Sequence, residues 1–414
     1  MQVEALDALR DSAGTVDVVI GIPTYNNART IGSVMDALRD GFTKFLPDTR
    51  TVVVNADAGS ADGTPEQLMA ADWDMVGVRA RHASAARERS ALPYHGIPGR
   101  AAAQRLILEA ALALGARACC FFPADSGSLT PDWAVRLLRP VLEEGADYVS
   151  ARYDRRRYEG TLTTGLIYPL VRALYGLRIH QPLTPALALS GRFVARLCAE
   201  QVWETDPTRH GIDLGVIALA SLERFTPCEV WLGRLVVEAE GRPSDLATIF
   251  SEAIGSTFGV LDHTADGWIH VRGSEPVPVM GEGATAEAGA ADVNVNGMIR
   301  AFTLGRKDLL PLWEQALAPE TLVEVLALEP VPGEAIPFPH ELWARVVYDF
   351  ALAARFQTLY RPHLLRSLVP LYLGRTAAYV LETSRGPARD ADGWIEACCR
   401  AFEQQKPRLA ERWR

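Results

Sequence analysis

The stretch from Ala118 to Trp133, ACCFFPADSGSLTPDW, constrains this chain more than any other. Its apolar run, Cys119 to Phe122, stops abruptly at Pro123-Ala124-Asp125-Ser126-Gly127-Ser128, and Thr130-Pro131-Asp132-Trp133 then opens a helix. An uninterrupted apolar run reads as a strand buried on both faces, and the acidic loop after it as the carboxyl edge of a parallel sheet. Open α/β sheets bind ligands at that edge, so Asp125 is the first candidate for the centre of a site. Taken alone, it reads more simply as the cap of a turn.

The surrounding pattern repeats the theme. Residues 17 to 23 form a short apolar run that ends at Pro23-Thr24-Tyr25-Asn26-Asn27, and helical periodicity follows through Ile31, Val34, Met35 and Leu38. A second strand, Thr51 to Val54, leads into Asp57-Ala58-Gly59-Ser60-Ala61-Asp62-Gly63-Thr64. A third, Met75 to Val78, runs into a basic loop, and Pro98-Gly99-Arg100 precedes a long helix. After the Asp125 strand and its helix comes Tyr148 to Ala151, another strand. Alternating strand and helix predicts a doubly wound, mostly parallel sheet. Further on, the chain reads as a rigid turn at His180 to Pro185, helices from near Gly191 and after Asp213, a strand from Val230 to Val237, and a helix from Asp245 to Leu261. Residues 281–297 are small, polar and unpatterned, and everything beyond them looks helical. The expected division is therefore a site-bearing α/β domain over 1–280, a loop or linker over 281–297, and a helical region over 298–414.

With a formal net charge of −9, the 414-residue chain is not expected to bind nucleic acid non-specifically. No run of about 18 uncharged apolar residues is present, so no membrane span is expected. The opening MQVEALDALRDSAG lacks the basic-then-apolar order of a secretory signal. Cys119, Cys120, Cys198, Cys228, Cys398 and Cys399 match no zinc spacing and no disulfide framework, and read as reduced core residues of a cytoplasmic protein.

Four loops fall at one edge of the expected sheet: Pro23 to Asn27, Asp57 to Thr64, Pro98 to Arg100, and Ala124 to Gly127. A carboxylate after the second strand suits a nucleobase or ribose. One after the fourth suits a divalent cation that neutralises a diphosphate, and Arg100 at a helix start suits a phosphate. Together they describe a nucleotide-sugar site. The basic run Arg152, Arg155, Arg156, Arg157 reads either as a solvated face or as a grip for an anionic acceptor. His210 reads as a structural histidine before it reads as a ligand, whereas Asp213 suits both a helix cap and an acceptor contact.

The order Ile22-Pro23-Thr24-Tyr25-Asn26-Asn27, Asp57 to Thr64, Pro98-Gly99-Arg100 and Ala124-Asp125 resembles the GT-A glycosyltransferases, which read approximately IPxYNE, DxxSxDGT, PGK and DxD. More narrowly, Tyr158-Glu159-Gly160-Thr161-Leu162-Thr163, Gln181-Pro182, Gly211-Ile212-Asp213, the run from Pro370 to Arg375 and Glu382-Thr383 are similar to the glucosylglycerate, mannosylglycerate and glucosyl-3-phosphoglycerate synthases. The resemblance covers nearly the whole chain. It implies a GT-A fold and retaining transfer of a hexose from UDP- or GDP-hexose to a small anionic acceptor of the glycerate or 3-phosphoglycerate type, with Mg2+ or Mn2+ as cofactor. It also implies that Pro23, Tyr25, Asn27, Asp57 and Ala124 line the nucleotide sugar and that Arg100 meets a phosphate or the sugar. Asp125 and Glu238 would ligate the metal, Gly160, Thr161, Thr163 and Arg155 would border the acceptor, and Asp213 would join Asp125 and Arg100 in catalysis.

Several positions depart from the resembled pattern. Pro123 stands where the family carries an acid, Asn27 replaces a glutamate, Arg100 a lysine, and Glu238 falls near the place of a metal-binding histidine. Leu183-Thr184-Pro185-Ala186 stands where the family has xGG followed by an acid. Two readings therefore compete: a transferase, and a homologue that keeps the pocket but not transfer. A nucleotidyltransferase is disfavoured, because IPTYNN is not a glycine- and arginine-rich loop. The apolar faces of the C-terminal helices lead to the expectation of a homodimer.

Overall fold

The computed structural model describes residues 16–70, 76–81, 99–199, 213–237, 246–283, 293–329, 336–384 and 388–414. Two compact units are interleaved along the chain. One comprises Met1–Asp154, Gln181–Asp245 and Val277–Thr285; the other comprises Arg155–His180, Leu246–Pro276 and Ala286–Arg414.

The first unit is built on a sheet. Its strands are β1 (Val18–Thr24), β2 (Thr51–Asp57), β3 (Val76–Arg81), β4 (Ala118–Phe121) and β5 (Tyr148–Asp154); then, after the two-residue β6 (Leu177–Arg178) of the second unit, β7 (Leu187–Ser190) and β8 (Pro227–Arg234). The two-residue β9 (Glu275–Pro276) pairs with β6, and β10 (Val279–Met280) completes the larger sheet. The eight strands lie in the order β10-β8-β5-β7-β4-β1-β2-β3. Every pairing is parallel except those of β7, which runs antiparallel between β4 and β5. From β1 the chain moves outward through β2 and β3, then returns to place β4 on the other flank of β1, so the strand order reverses at β1 and β4.

Helices cover both faces. On one, Val18, Ile20, Cys120, Phe122, Val149 and Val230 join Ile31, Leu38, Trp133 and Leu137 in a single buried core. Ile31–Phe45 and Asp132–Glu143 supply that face, and they approach so closely that a Cβ on Gly41 would overlap the Pro131 carbonyl. On the other face Gly21 accepts the side chain of Ile107, from the helix Arg100–Ala113. The unit is thus the mostly parallel, helix-flanked sheet that the alternation and the GT-A resemblance imply.

Three local expectations are corrected. β7 is absent from the sequence reading, since its four residues, Leu187–Ser190, directly before a helix at Gly191, give too short a run to show an alternation. β5 continues to Asp154 where a basic loop was expected from Arg152, because the Arg152 guanidinium lies 4.4 Å from the Trp231 ring centroid on the neighbouring strand. β3 likewise extends through Arg79 to Arg81.

The second unit is helical, as expected beyond residue 298, and includes Leu246–His263, Val295–Asp308, Leu310–Ala316, Pro319–Ala327, His340–Arg355, Arg361–Thr383 and Ala388–Trp413. Val295–Asp308 and Arg361–Thr383 pack through two glycines: Gly374 faces the Phe302 ring and Gly305 faces Pro370, each without room for a Cβ. The tryptophans Trp268, Trp313, Trp343 and Trp413 are fully buried there. All six cysteines are free, five of them buried, with burial pushing the Cys398 thiol up to about 11. No helix among the described residues is long and apolar enough to cross a membrane.

Candidate active site

The carboxyl ends of β1, β2 and β4 meet where the strand order reverses, and the loops that leave them are tied to one another. Asn26 adopts a left-handed conformation with φ 55°, which asparagine tolerates better than most residues. Its N–H donates to Ser60 Oγ at 2.9 Å, and its side-chain oxygen accepts from Ala61 N at 3.0 Å. Asn27 N donates to Thr64 Oγ1 at 2.7 Å, and Ala28 N to Asp62 at 2.9 Å. Asn27 Oδ1 accepts from Tyr25 N at 2.8 Å, so Asn27 serves its own turn. Pro23 is buried at the end of β1, with Tyr25 and Asn27 half-buried beyond it. Burial draws the Asp62 carboxyl upward, but the Thr64 hydroxyl and the N–H groups of Ala28 and Thr64 outweigh it and hold the group below the usual range.

Asp57 is wholly buried and its carboxylate accepts four hydrogen bonds: from Thr24 Oγ1 at 3.1 Å, Ser60 Oγ at 2.6 Å, and the N–H groups of Gly59 and Ser60 at 3.0 Å each. It shapes the second loop from within.

Ala124 and Asp125 follow β4. The Ala124 carbonyl accepts from Thr30 Oγ1 at 2.7 Å, which fixes the fourth loop to the first turn of the helix after β1. Asp125 is half-buried; burial raises its carboxyl above the ordinary range, against the pull of a backbone hydrogen bond and of the Arg100 charge. On the far side of this loop, Gly127 N donates to Val236 O at 2.9 Å and Ser126 bridges Val237 in antiparallel fashion. Glu238 lies outside the described residues, as do His210, Gly211 and Ile212. Among the described residues no group of three His, Cys, Asp or Glu side chains is gathered to hold a metal ion.

Arg100 opens its helix after Gly99, whose φ of 63° turns the chain in a left-handed conformation. Its side chain is 4% exposed and its Nη1 donates to Asp213 Oδ2 at 2.8 Å; Asp213, in the first turn of Asp213–Leu222, is 1% exposed. The structure thus joins two sequence candidates 113 positions apart, and does so below the surface. Sequence reasoning missed the groups beside them. Glu229 on β8 is fully buried, 3.7 Å from Arg152, and burial, followed by the negative charges of Asp213 and Glu229, pushes the phenol of Tyr148 on β5 upward. An acid between Cys228 and Val230 in a buried strand was the available signal.

The acceptor-side candidates belong to the second unit. Gly160, with φ 67°, lies against the Arg155 guanidinium, which a Cβ would displace. Thr161 Oγ1 and Tyr372 OH share a hydrogen bond of 2.7 Å, and Tyr158 OH and Thr383 Oγ1 one of 3.4 Å. Arg157 donates to the Thr383 carbonyl at 2.9 Å. The motif around Gly160 is therefore built onto the helix that carries Tyr372 and Thr383. Thr163 is buried and starts a single π-type turn, Thr163–Ile167, inside which the Gly165 carbonyl accepts from Trp343 Nε1 at 2.9 Å. Such turns recur at functional sites.

Fold and site together define a doubly wound α/β protein with a buried acid-arginine pair and a half-buried acid at its topological switch point. No family model matches the chain, and no curated protein matches it. Among solved structures the chain is similar to glucosyl-3-phosphoglycerate synthase from Mycobacterium tuberculosis. The complex with Mn2+, UDP-glucose and phosphoglyceric acid is 20% identical, with 64% of this chain and 84% of that chain covered and a TM-score of 0.45. The complex with Mn2+, UDP and glucosyl-3-phosphoglycerate is 23% identical, with 62% and 82% covered and a TM-score of 0.43. The complex with Mg2+ and UDP is 21% identical, with 64% and 84% covered and a TM-score of 0.44.

Proposed function

We propose that this chain is a retaining glycosyltransferase that moves a hexose from UDP- or GDP-hexose to a small anionic acceptor of the glycerate or 3-phosphoglycerate type. The observation that carries the reading is the convergence of three tied loops, Asp125 and the Arg100–Asp213 pair at the switch point of the sheet. Tyr25, Asn27 and the loop shaped by Asp57 supply the nucleoside side, and Pro23 backs it. Arg100 faces the diphosphate, whose charge grows as the sugar leaves. Gly160, Thr161, Thr163 and Arg155 supply the acceptor side, where a guanidinium suits a carboxylate or phosphate.

Asp125 offers a hard oxygen ligand, which fits Mg2+ or Mn2+ held by one or two carboxylates and completed by substrate phosphates. Glu238 is the proposed second ligand. When bound, the ion supplies charge neutralisation at the leaving diphosphate. A homodimer through the helical unit is part of the same reading.

The test is thermal stabilisation by UDP and GDP, each with and without Mn2+, followed by NMR of the anomeric proton in any glycosylated product. Metal-dependent stabilisation and a product of unchanged anomeric configuration support the reading; no stabilisation by either nucleotide removes it. Pro123, where the resembled family carries an acid, favours a second reading, binding without transfer. Nucleotide binding with no consumption of UDP-glucose or GDP-mannose selects it.

A further inference from the structure

We propose that Asp213 is a positioning residue: it acts on a bound diphosphate only through Arg100, whose guanidinium it holds at the sheet edge. The inference rests on the reading above that an anion binds there.

A cation in the first turn of a helix is electrostatically misplaced, because the exposed N–H groups already make that end positive. Arg100 is such a cation, and it is buried as well. Asp213 resolves both difficulties from the start of a second helix, where a carboxylate is favoured. Its contact engages one side of the guanidinium, Nη1 at 2.8 Å and Nη2 at 3.5 Å. A guanidinium has five N–H donors in a fixed fork, so a partner on one edge orients the rest; a lysine ammonium carries no such orientation. Asp213, 1% exposed against 4% for Arg100, turns its carboxylate to that guanidinium. The half-buried Asp125 already feels the Arg100 charge, and a diphosphate held at Asp125 would feel it too.

A purely structural ion pair exists in the same unit for comparison. Asp147, just before β5 and so at the opposite edge of the sheet, accepts from Arg192 Nε at 2.6 Å, Ser190 Oγ at 2.7 Å and Thr226 N at 2.9 Å. It separates loss of fold from loss of positioning.

The experiment is calorimetric titration of the full chain with inorganic pyrophosphate and with UDP plus Mn2+. It compares wild type with Asp213→Asn, Asp213→Glu, Arg100→Lys, the Asp213→Asn/Arg100→Lys double variant and Asp147→Asn. The expected result is that Asp213→Asn and Arg100→Lys each weaken binding about tenfold or more. The double variant is then no weaker than the weaker single, because both act through one group. Asp213→Glu recovers part of the loss, and Asp147→Asn lowers the melting temperature with affinity unchanged. Should Asp213→Asn fail to fold, Asp213→Glu with Arg100→Lys gives the same comparison. Affinity of Asp213→Asn within about twofold of wild type, or two losses that multiply in the double variant, overturns the proposal and leaves the nucleotide reading intact. Wild-type protein that binds neither probe overturns both.

Discussion

Thr30 and Ala124, 94 positions apart, are joined by a 2.7 Å hydrogen bond from a buried hydroxyl to a buried carbonyl. The bond fastens the loop that carries Asp125 to the first turn of the helix after β1. Thr30→Val keeps the shape and leaves the Ala124 carbonyl unmatched, which costs about 1–3 kcal/mol. Urea unfolding should show that loss, with Thr30→Ser close to wild type. Nucleotide affinity should fall with it, since the two loops are no longer held together.

Asp57 and Asp125 should separate cleanly by stability. Removing the Asp57 carboxylate strands four donors in a buried loop, so Asp57→Ala should destabilise by about 3 kcal/mol or more. Asp125 is a desolvated acid with no such set of donors, and Asp125→Ala should leave the melting temperature nearly unchanged while abolishing metal-dependent stabilisation by UDP or GDP. A stable Asp57→Ala variant would reverse this assignment.

Gly160→Ala should be felt in two ways. A left-handed φ of 67° costs an alanine about 1–2 kcal/mol, and the added Cβ displaces the Arg155 guanidinium. On the proposed reading, steady-state kinetics should show the acceptor KM rising with little change in the KM for the nucleotide sugar.

The helical unit should soften in acid through His340. Burial, followed by the charges of Arg375 and Arg400, lowers its pKa to about 3, and its Nδ1 accepts from Arg375 Nη2. Between pH 6.5 and 3 the unfolded chain binds a proton that the folded one refuses, so stability falls as pH drops through that window. His340→Asn, which keeps an acceptor for Arg375 but cannot titrate, should flatten that part of the profile in pH-dependent denaturant melts.

The sheet was legible where apolar runs ended in polar loops: β1, β2 and β4 needed only their sequences, and Asp125 followed from the last of them. What escaped was whatever depends on neighbours distant along the chain. Arg100 and Asp213 were singled out separately, yet no spacing of 113 residues announces a contact. The hydrogen bond that Asp57 accepts from Thr24 Oγ1, 33 positions earlier, is equally invisible to local spacing. Arg152 reads as the start of a basic loop, since its aromatic partner, Trp231, stands on a strand 79 residues later. Local patterns set the elements; pairing across the sheet decided what the polar side chains were for.

Because β7 runs against its neighbours, Leu187 at its start lies level with Phe121 at the carboxyl end of β4 and with Ser150 in β5. For this one strand, the residues that approach the ligand edge precede it. Gln181, bonded through Nε2 to the Tyr153 carbonyl at 2.8 Å, and Thr184, bonded to the Ala186 carbonyl at 3.0 Å, sit in that approach. At the other end Gly191 packs against the Ala116 carbonyl without space for a Cβ. On the proposed reading, drift in specificity has a one-sided address here: changes ahead of β7 should alter chemistry, whereas changes just behind it should alter folding.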